Sequence, residues 1–512
     1  MLAKLTSYGL IGIQGCPIDV EVDISYGSQR VDTVGLPDNA VKESKERVRS
    51  AICNCGYSYP DTRLLVNLAP ADIRKEGTVY DLPIALGILA ARGSFGLNAA
   101  DGYVIIGELA LDGTVRGVNG VLPMMIDAYE RGYRKVMVPA DNAKEASCVA
   151  GLEVYPVGQL AEAVAHFKGF CRIEPMPEYV WEGSTVKPGC DFSEIKGQQA
   201  AKRAAEIAVA GNHNLLMVGS PGSGKTMLAR SLPTILPELT IAEALEITRI
   251  HSVAGELKGG LGIVRERPFR APHHSASIPA IVGGGTKALP GEISLAHYGV
   301  LFMDEFPEFP PMVLEALRQP LEDGAVTITR ASAKATYPAD FMLVAAMNPC
   351  PCGNFGSKTK ECRCTPAQIE RYRNRISSPI LDRLDIHIEM TEVDYTELTA
   401  AASGESSATV RARVSRAREL QRQRYEADGI LFNSQLNTPL MRKYCRMSAE
   451  AEQILHLAYD KLRLSARAYT RVIKVARTIA DIGGSPTIEK PHVLEAVQYR
   501  GLDEKYWGSS RY

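Results

Sequence analysis

The sequence predicts an α/β protein: a parallel-stranded nucleotide-binding core, with another α/β module before it and a helical region after it. Three observations carry that expectation. Residues 219–226 read Gly219-Ser220-Pro221-Gly222-Ser223-Gly224-Lys225-Thr226, a complete G-x-x-x-x-G-K-[ST] loop. The apolar run Leu215-Leu216-Met217-Val218 precedes it and the helix formers Met227-Leu228-Ala229-Arg230 follow, giving the required strand–loop–helix context. Further on, Val300-Leu301-Phe302-Met303 is an apolar strand ending in two carboxylates, Asp304 and Glu305.

Each element of that core has a chemical task. The glycines let backbone N–H groups close around phosphates at a helix N-terminus, where the dipole also favours anions. Lys225 reaches the β- and γ-phosphates, and the Thr226 hydroxyl binds Mg²⁺ together with Asp304. Glu305 orients or polarises the attacking water. The pair of motifs, in this order, implies binding and hydrolysis of ATP with Mg²⁺.

The elements before the core alternate. Ile18–Ile24 reads as a half-buried strand, Asp38–Cys53 as a helix opening on a capping Asp, and Leu64–Leu68 as a strand. Leu82–Ala91 follows as an apolar helix, then Tyr103–Ile106, Gly117–Gly132 and Lys135–Pro139 as strand, helix and strand. Residues 1–168 thus form one α/β module. Proline, glycine and charge without periodicity mark 169–190 as a linker. The ATPase core is expected over 191–394. From 395 to 512 the pattern is helical, clearest over Ala449–Leu464 and Arg467–Ile482.

Composition narrows the class. At 512 residues, with 45% hydrophobic and 23% charged residues, the chain describes an ordinary multidomain globular protein. A formal net charge of −1 excludes a broadly basic nucleic-acid coat, though not a local basic loop. No apolar stretch approaches the roughly 20 residues of a membrane span, and the start is a poor signal peptide. The odd count of 11 cysteines, mostly scattered, fits free thiols in a reducing cytoplasm.

Further residues suggest how hydrolysis is sensed. The strand Phe341–Met347 ends at Asn348, whose amide can bond the γ-phosphate or the lytic water; a turn-forming Asn before Pro349 is the plainer reading. Arg383, in Leu381-Asp382-Arg383-Leu384-Asp385, can sit at a subunit surface and reach a neighbour's nucleotide, or pair with Asp382 or Asp385. Arg467 opens a late helix and can meet the γ-phosphate, with Arg471 one turn further competing for that role.

This set resembles the AAA+ superfamily. The stretches Phe269-Arg270-Ala271-Pro272-His273-His274, Pro290-Gly291-Glu292-Ile293-Ser294-Leu295-Ala296-His297 and Gln319-Pro320-Leu321-Glu322-Asp323-Gly324 narrow the likeness to the magnesium-chelatase-like branch, and over the whole chain to its YifB/ComM subfamily. The resemblance implies a P-loop AAA+ core with a C-terminal helical lid, working as a homo-hexameric ring ATPase. It assigns Lys225 and Thr226 to Walker A, Asp304 and Glu305 to Walker B, Asn348 to sensor 1, Arg383 to the arginine finger and Arg467 to sensor 2. The amino-terminal module is similar to a Lon-protease-like domain through Gly107-Glu108-Leu109-Ala110-Leu111-Asp112-Gly113. It departs from that family where catalysis would sit: Lys75–Ala85 has no serine, and Val115–Glu130 has no lysine. Without nucleophile and base, a non-proteolytic accessory role is expected.

Two features remain. Cys350-Pro351-Cys352 and Cys362-Arg363-Cys364 are C-x-C pairs that suit a tetrahedral Zn²⁺, with free thiols or a redox or iron–sulfur use as alternatives. Arg265, Arg267, Phe269 and Arg270, followed by Gly283-Gly284-Gly285, form one candidate polymer-binding loop. Arg330 and Lys334 on a β-hairpin form another. If such loops face a ring's channel, the cations track phosphates and Phe269 stacks on bases; the plainer reading is loops that contact a neighbouring subunit. The expectation is a cytoplasmic motor acting on single-stranded or branched DNA, by resemblance in branch migration during natural transformation. The rivals are a magnesium-chelatase-type ATPase subunit and a protein remodeller.

Overall fold

The computed structural model describes residues 1–507 except 29, 187–188, 258–261, 286–287, 330–333, 358–359 and 394–403. Its amino-terminal part is a seven-stranded mixed sheet in the order Arg30–Val34, Arg63–Ala69, Gln14–Ser25, Leu2–Ile11, Tyr103–Ile105, Lys135–Pro139, Glu153–Val157. The first strand was not anticipated from its residues. It pairs along its whole length with Gln14–Ser25, from Leu2 opposite Asp23 to Ile11 opposite Gln14. The helix Asn39–Asn54 is capped by the Asp38 carboxylate, which accepts from the Val41 N–H at 2.8 Å. It buries Val41, Ser44, Val48, Ala51 and Ile52, the i, i+3, i+4 stripe its spacing dictates. The apolar helix Asp81–Ala91 is buried on every side.

The core that carries the phosphate loop is a five-stranded sheet, every neighbouring pair parallel, in the order Phe269–Arg270, Val300–Met303, Met342–Met347, Leu215–Gly219, Ile386–Met390. Side chains alternate between its faces as the strand period requires. Leu215, Met217, Val300, Phe302, Met342 and Val344 join a core shared with the C-terminal helices, including Val472, Ala476 and Ile479 of the helix Ala466–Ile482. Leu216, Val218, Leu301, Met303, Leu343 and Ala345 face a different core with Phe306, Phe309 and Tyr337. The hairpin expected from the sequence is present as Ala325–Thr329 paired antiparallel with Lys334–Pro338.

The linker is tied down rather than loose. Met176, Tyr179 and Thr185 donate backbone bonds to Val154, Ser147 and Arg265, carrying the chain across the junction of the two sheets. That junction is built of close contacts. Glu145, in the amino-terminal module, accepts from the Leu122 N–H at 2.8 Å and from the Ser252 hydroxyl of the core, while Gly120 N–H donates to the Ser252 carbonyl at 3.0 Å. Leu10 and Ile13 pack into the core's second hydrophobic cluster. A Cβ on Gly12 would lie 2.9 Å from the Ala335 Cβ of the hairpin. Among the described residues no helix is long and apolar enough to cross a membrane.

Candidate active site

The parallel register brings the functional residues to one edge of the sheet, the C-terminal ends of adjacent strands. Leu215–Gly219 runs into the loop, where Gly222 (φ 84°) and Gly224 (φ 90°) take the left-handed turns that admit a phosphate to the backbone. Lys225 opens the helix Lys225–Ile235. Its Nζ donates to the Gly219 carbonyl at 2.6 Å, the Ser220 carbonyl at 2.9 Å and Asn348 Oδ1 at 3.2 Å. Burial pulls the Lys225 ammonium down to about 8, with Asp304 opposing the shift. Thr226 Oγ1 donates to Asp304 Oδ2 at 2.8 Å, joining the two groups that would share an Mg²⁺. Residues far apart in the chain thus meet in two hydrogen-bonded pairs, Lys225 with Asn348 and Thr226 with Asp304.

Glu305 is set apart from them. Its backbone is left-handed (φ 52°), an uncommon conformation for a non-glycine residue. Its side chain is 55% exposed, with His274 Nδ1 3.1 Å from one carboxylate oxygen. The His274 ring lies against His273 at 4.1 Å between centroids. This imidazole was missed as a partner of the active site. The adjacent histidines were visible after the edge strand, but nothing local tied either one to Glu305.

Arg383 lies elsewhere. Asp385 begins at the opposite end of the sheet, where its N–H and that of Ile386 donate to the Asn214 carbonyl, just before the phosphate-loop strand starts. Five residues of strand separate that edge from Gly219, roughly 16 Å. Arg383 is 3% exposed, donates to the Pro379 carbonyl at 2.7 Å and pairs with Glu322. The expectation of an Arg383 side chain open at the surface, or paired with a neighbouring Asp, is corrected on both counts: its carboxylate comes from the helix Arg318–Asp323. Arg467, 56% exposed, reaches the same Glu322 at 3.5 Å, so it lies on this side too and not over Lys225. Arg471 is bound to the buried Asp385, beside His213, and is not poised for a phosphate.

The first polymer-binding loop is also corrected. Arg265 donates to Glu182 at 2.6 Å and the Gly183 carbonyl at 2.8 Å. Arg267, 11% exposed, binds Glu243 at 3.1 Å and the Pro237 carbonyl at 2.6 Å. Arg270 holds Glu292 through two bonds, at 2.6 and 2.7 Å. Phe269 stacks on Phe302 at 6.0 Å inside the sheet. These residues belong to the edge strand and its approach, and carboxylates of the same chain hold the cations. On the hairpin Lys334 is exposed, and Arg330 lies outside the described residues.

The cysteine pairs do meet. The four Sγ atoms of Cys350, Cys352, Cys362 and Cys364 lie within 4.8 Å of one another, three of the pairs at 3.4–3.7 Å. A tetrahedral ZnS₄ site with bonds of about 2.3 Å has sulfur–sulfur edges of about 3.8 Å, so this donor set fits zinc. Backbone N–H groups of Asn354 and Arg363 hold the Cys352 thiol down to about 6, toward the thiolate a metal needs. In the amino-terminal module, Thr78 Oγ1 is bonded to Glu108 and Asp81 is held by Arg47.

Comparison with known proteins agrees with this architecture. Residues 191–398 match the family described as magnesium chelatase, subunit ChlI; residues 20–142 match subunit ChlI of Mg-chelatase, and 404–500 the ChlI C-terminal family. The chain is 45% identical over 506 residues to competence protein ComM of Haemophilus influenzae, covering 98% of each chain. It is 45% identical over 495 residues to the uncharacterized protein YifB of Escherichia coli, covering 96% of each. Likeness to the magnesium-chelatase 67 kDa subunit of Chlorobaculum tepidum is 26% over 163 residues, 31% of this chain and 23% of that one. With full-length identity on that scale, and a phosphate loop, an Asp-Glu strand end and a terminal Asn on adjacent parallel strands, the chain belongs to the YifB/ComM family of magnesium-chelatase-like AAA+ proteins.

Proposed function

We propose that this chain is an ATP-hydrolysing ring motor that acts on DNA, as a helicase or branch-migration factor in natural transformation and recombination. The observation that carries the ATPase is the bonded set Lys225–Asn348 and Thr226–Asp304 at one sheet edge, with Glu305 beside it. Lys225 neutralises the β- and γ-phosphates, Thr226 and Asp304 hold Mg²⁺, and Asn348 senses the γ-phosphate. Glu305 positions the attacking water, and His274 fixes the carboxylate that does so.

One feature favours a ring. Arg383 and Arg467 converge on Glu322, on the far side of the sheet from their own Lys225. From there the exposed Arg467 faces the pocket of an adjacent subunit, Arg383 reaches it only once drawn off Glu322, and a homo-hexamer closes the set of interfaces. The four cysteines hold a structural zinc. DNA as the substrate rests on the competence relative's name and on the hairpin, which presents Lys334 to solvent.

The test is ATP turnover by the full chain with and without single-stranded DNA across a salt series. Stimulation that weakens as salt rises is expected, through counterion release. Absence of DNA binding at low salt with ATP present removes the DNA reading, and stimulation by chelatase partner subunits or by unfolded protein would replace it.

A further inference from the structure

The four-cysteine loop has a feature that a merely local zinc knuckle would not need: it forms a wall of the nucleotide pocket. Cys350 follows two residues after Asn348, whose side chain holds Lys225. Gly353 is buried against the phosphate loop. A Cβ there would lie 2.5 Å from Pro221 Cδ and 2.7 Å from Cγ, and its φ of +79° is one that side chains rarely adopt. The far side of the phosphate loop is also fixed: Gln198 donates to the carbonyls of Ser223 at 3.2 Å and Thr391 at 2.6 Å. Next to Thr391, Glu392 accepts from Ser357 of the cysteine loop at 2.8 Å. Arg373 anchors the same loop, donating to the Pro349 carbonyl at 3.3 Å with its guanidinium 4.9 Å from the Phe355 ring.

We propose that the four-cysteine loop, shaped by its metal, positions the phosphate loop through Gly353 and Pro221, so that zinc affinity and nucleotide affinity are coupled. The proposal rests on the reading of the Lys225 pocket as an ATP site. Its physical basis is that, among the described residues, the loop from Cys350 to Cys364 contributes only Cys350 to the buried apolar core, so the metal would be its main internal cross-link. When the sulfurs separate, Gly353 leaves Pro221, and the segment carrying Asn348 loses its restraint. The nucleotide must then order both walls of its own pocket, and its affinity falls. By linkage the nucleotide strengthens zinc binding by the same factor.

Reciprocity supplies a test on the folded, unsubstituted chain. Protein purified without chelator is assayed for zinc, then titrated with a zinc-binding dye in the presence and absence of a saturating non-hydrolysable ATP analogue. The expected result is about one zinc per chain, held at least about fivefold more tightly when the analogue is bound. Analogue affinity should fall by the same factor in metal-free protein. Pro221→Ala deletes the two ring atoms that face Gly353 while leaving the cysteines intact. It should keep the zinc and bring the factor toward one. The proposal is overturned if the analogue binds and zinc affinity is the same with and without it, if the protein carries no zinc, or if Pro221→Ala leaves the factor unchanged. Failure of the analogue to bind zinc-loaded protein would instead strike the ATP reading itself, and the coupling with it.

Discussion

The two α/β modules hold similar chemical ingredients and use them in opposite ways. In the amino-terminal module, the loop before the helix Asp81–Ala91 carries a lysine, a hydroxyl and a carboxylate, as does the loop before Lys225–Ile235 together with Asp304. There every group is engaged. Asp81 is fully buried and bonded by Arg47 at 2.8 and 3.1 Å, Thr78 is held by Glu108, and Lys75, also buried, donates to the Pro70 carbonyl. Burial raises the Asp81 carboxyl to about 6 even against Arg47. In the core Lys225 is buried as well, yet the hydroxyl and the second carboxylate open to solvent: Glu305 is 55% exposed, and Thr226 and Pro221 are exposed. A site that binds and reacts keeps its donors and acceptors within reach of a ligand, whereas the closed set serves packing.

The strongest way to break that contrast is to delete one charge from each module. Lys225→Ala should abolish nucleotide binding, because the phosphates lose their cation. Glu305→Gln should still bind ATP, since Asp304 keeps the metal, while turnover falls by about 10²–10⁴-fold. Asp81→Ala should leave turnover per folded molecule at the parental level and lower stability by about 1–3 kcal/mol, the cost of an unpartnered Arg47. These are read by analogue binding, steady-state ATPase and thermal melts. Parental turnover in Glu305→Gln would show that the Asp304 strand is misassigned.

Within one chain Arg383 and Arg467 meet on Glu322, at the opposite end of the sheet from the Lys225 pocket. Arg383→Ala and Arg467→Ala should each reduce turnover, Arg383→Ala by about 10³-fold or more if it is the trans-acting finger. Mixing Arg383→Ala with Lys225→Ala subunits should restore part of it, because some interfaces then pair an intact Lys225 with an intact Arg383. Mixed rings that form without recovering any activity count against action in trans.

His274 offers a finer probe. With Glu305 in a left-handed backbone conformation, its carboxylate depends on a side-chain partner for direction. His274→Ala should lower turnover about tenfold with KM for ATP unchanged, and His274→Gln, which keeps a donor, should recover part of the loss. An equal loss in both, or a change confined to KM, would remove His274 from that role.

What was legible in the sequence divides along the same line. The phosphate loop and the Asp304–Glu305 strand end are continuous stretches whose chemistry is local, and parallel pairing of apolar strands brings Asn348 to them. The cysteines are close enough in sequence to find one another. The partners of isolated cations were not legible. Glu243, Glu292 and Glu322 lie tens of residues from Arg267, Arg270 and Arg383, and no periodicity links them. The strand Leu2–Ile11 was obscure for a related reason: its polar positions make sense only beside Gln14–Ser25. An arginine-rich stretch therefore reads as a basic surface until the fold supplies its carboxylates.

The smallest expected effect distinguishes an open cation from an engaged one. Lys334 is exposed on the hairpin whose neighbouring Ala335 packs on Gly12 of the amino-terminal module. Arg267 is 11% exposed and fixed by Glu243. If the hairpin meets a DNA backbone, Lys334→Ala should weaken binding uniformly across sequences and reduce the salt slope of log K by about 1. Basal ATPase should stay near parental, because Lys225, Asp304 and Asn348 are untouched. Arg267→Ala should leave the slope as it is and lower thermal stability instead, since Glu243 loses its partner in a half-buried setting. Fluorescence anisotropy of labelled single-stranded DNA at several salt concentrations reads both slopes. An unchanged slope in Lys334→Ala, with DNA binding intact, would take the hairpin off the polymer path. A lowered slope in Arg267→Ala would mean that the ion pair with Glu243 opens when DNA arrives.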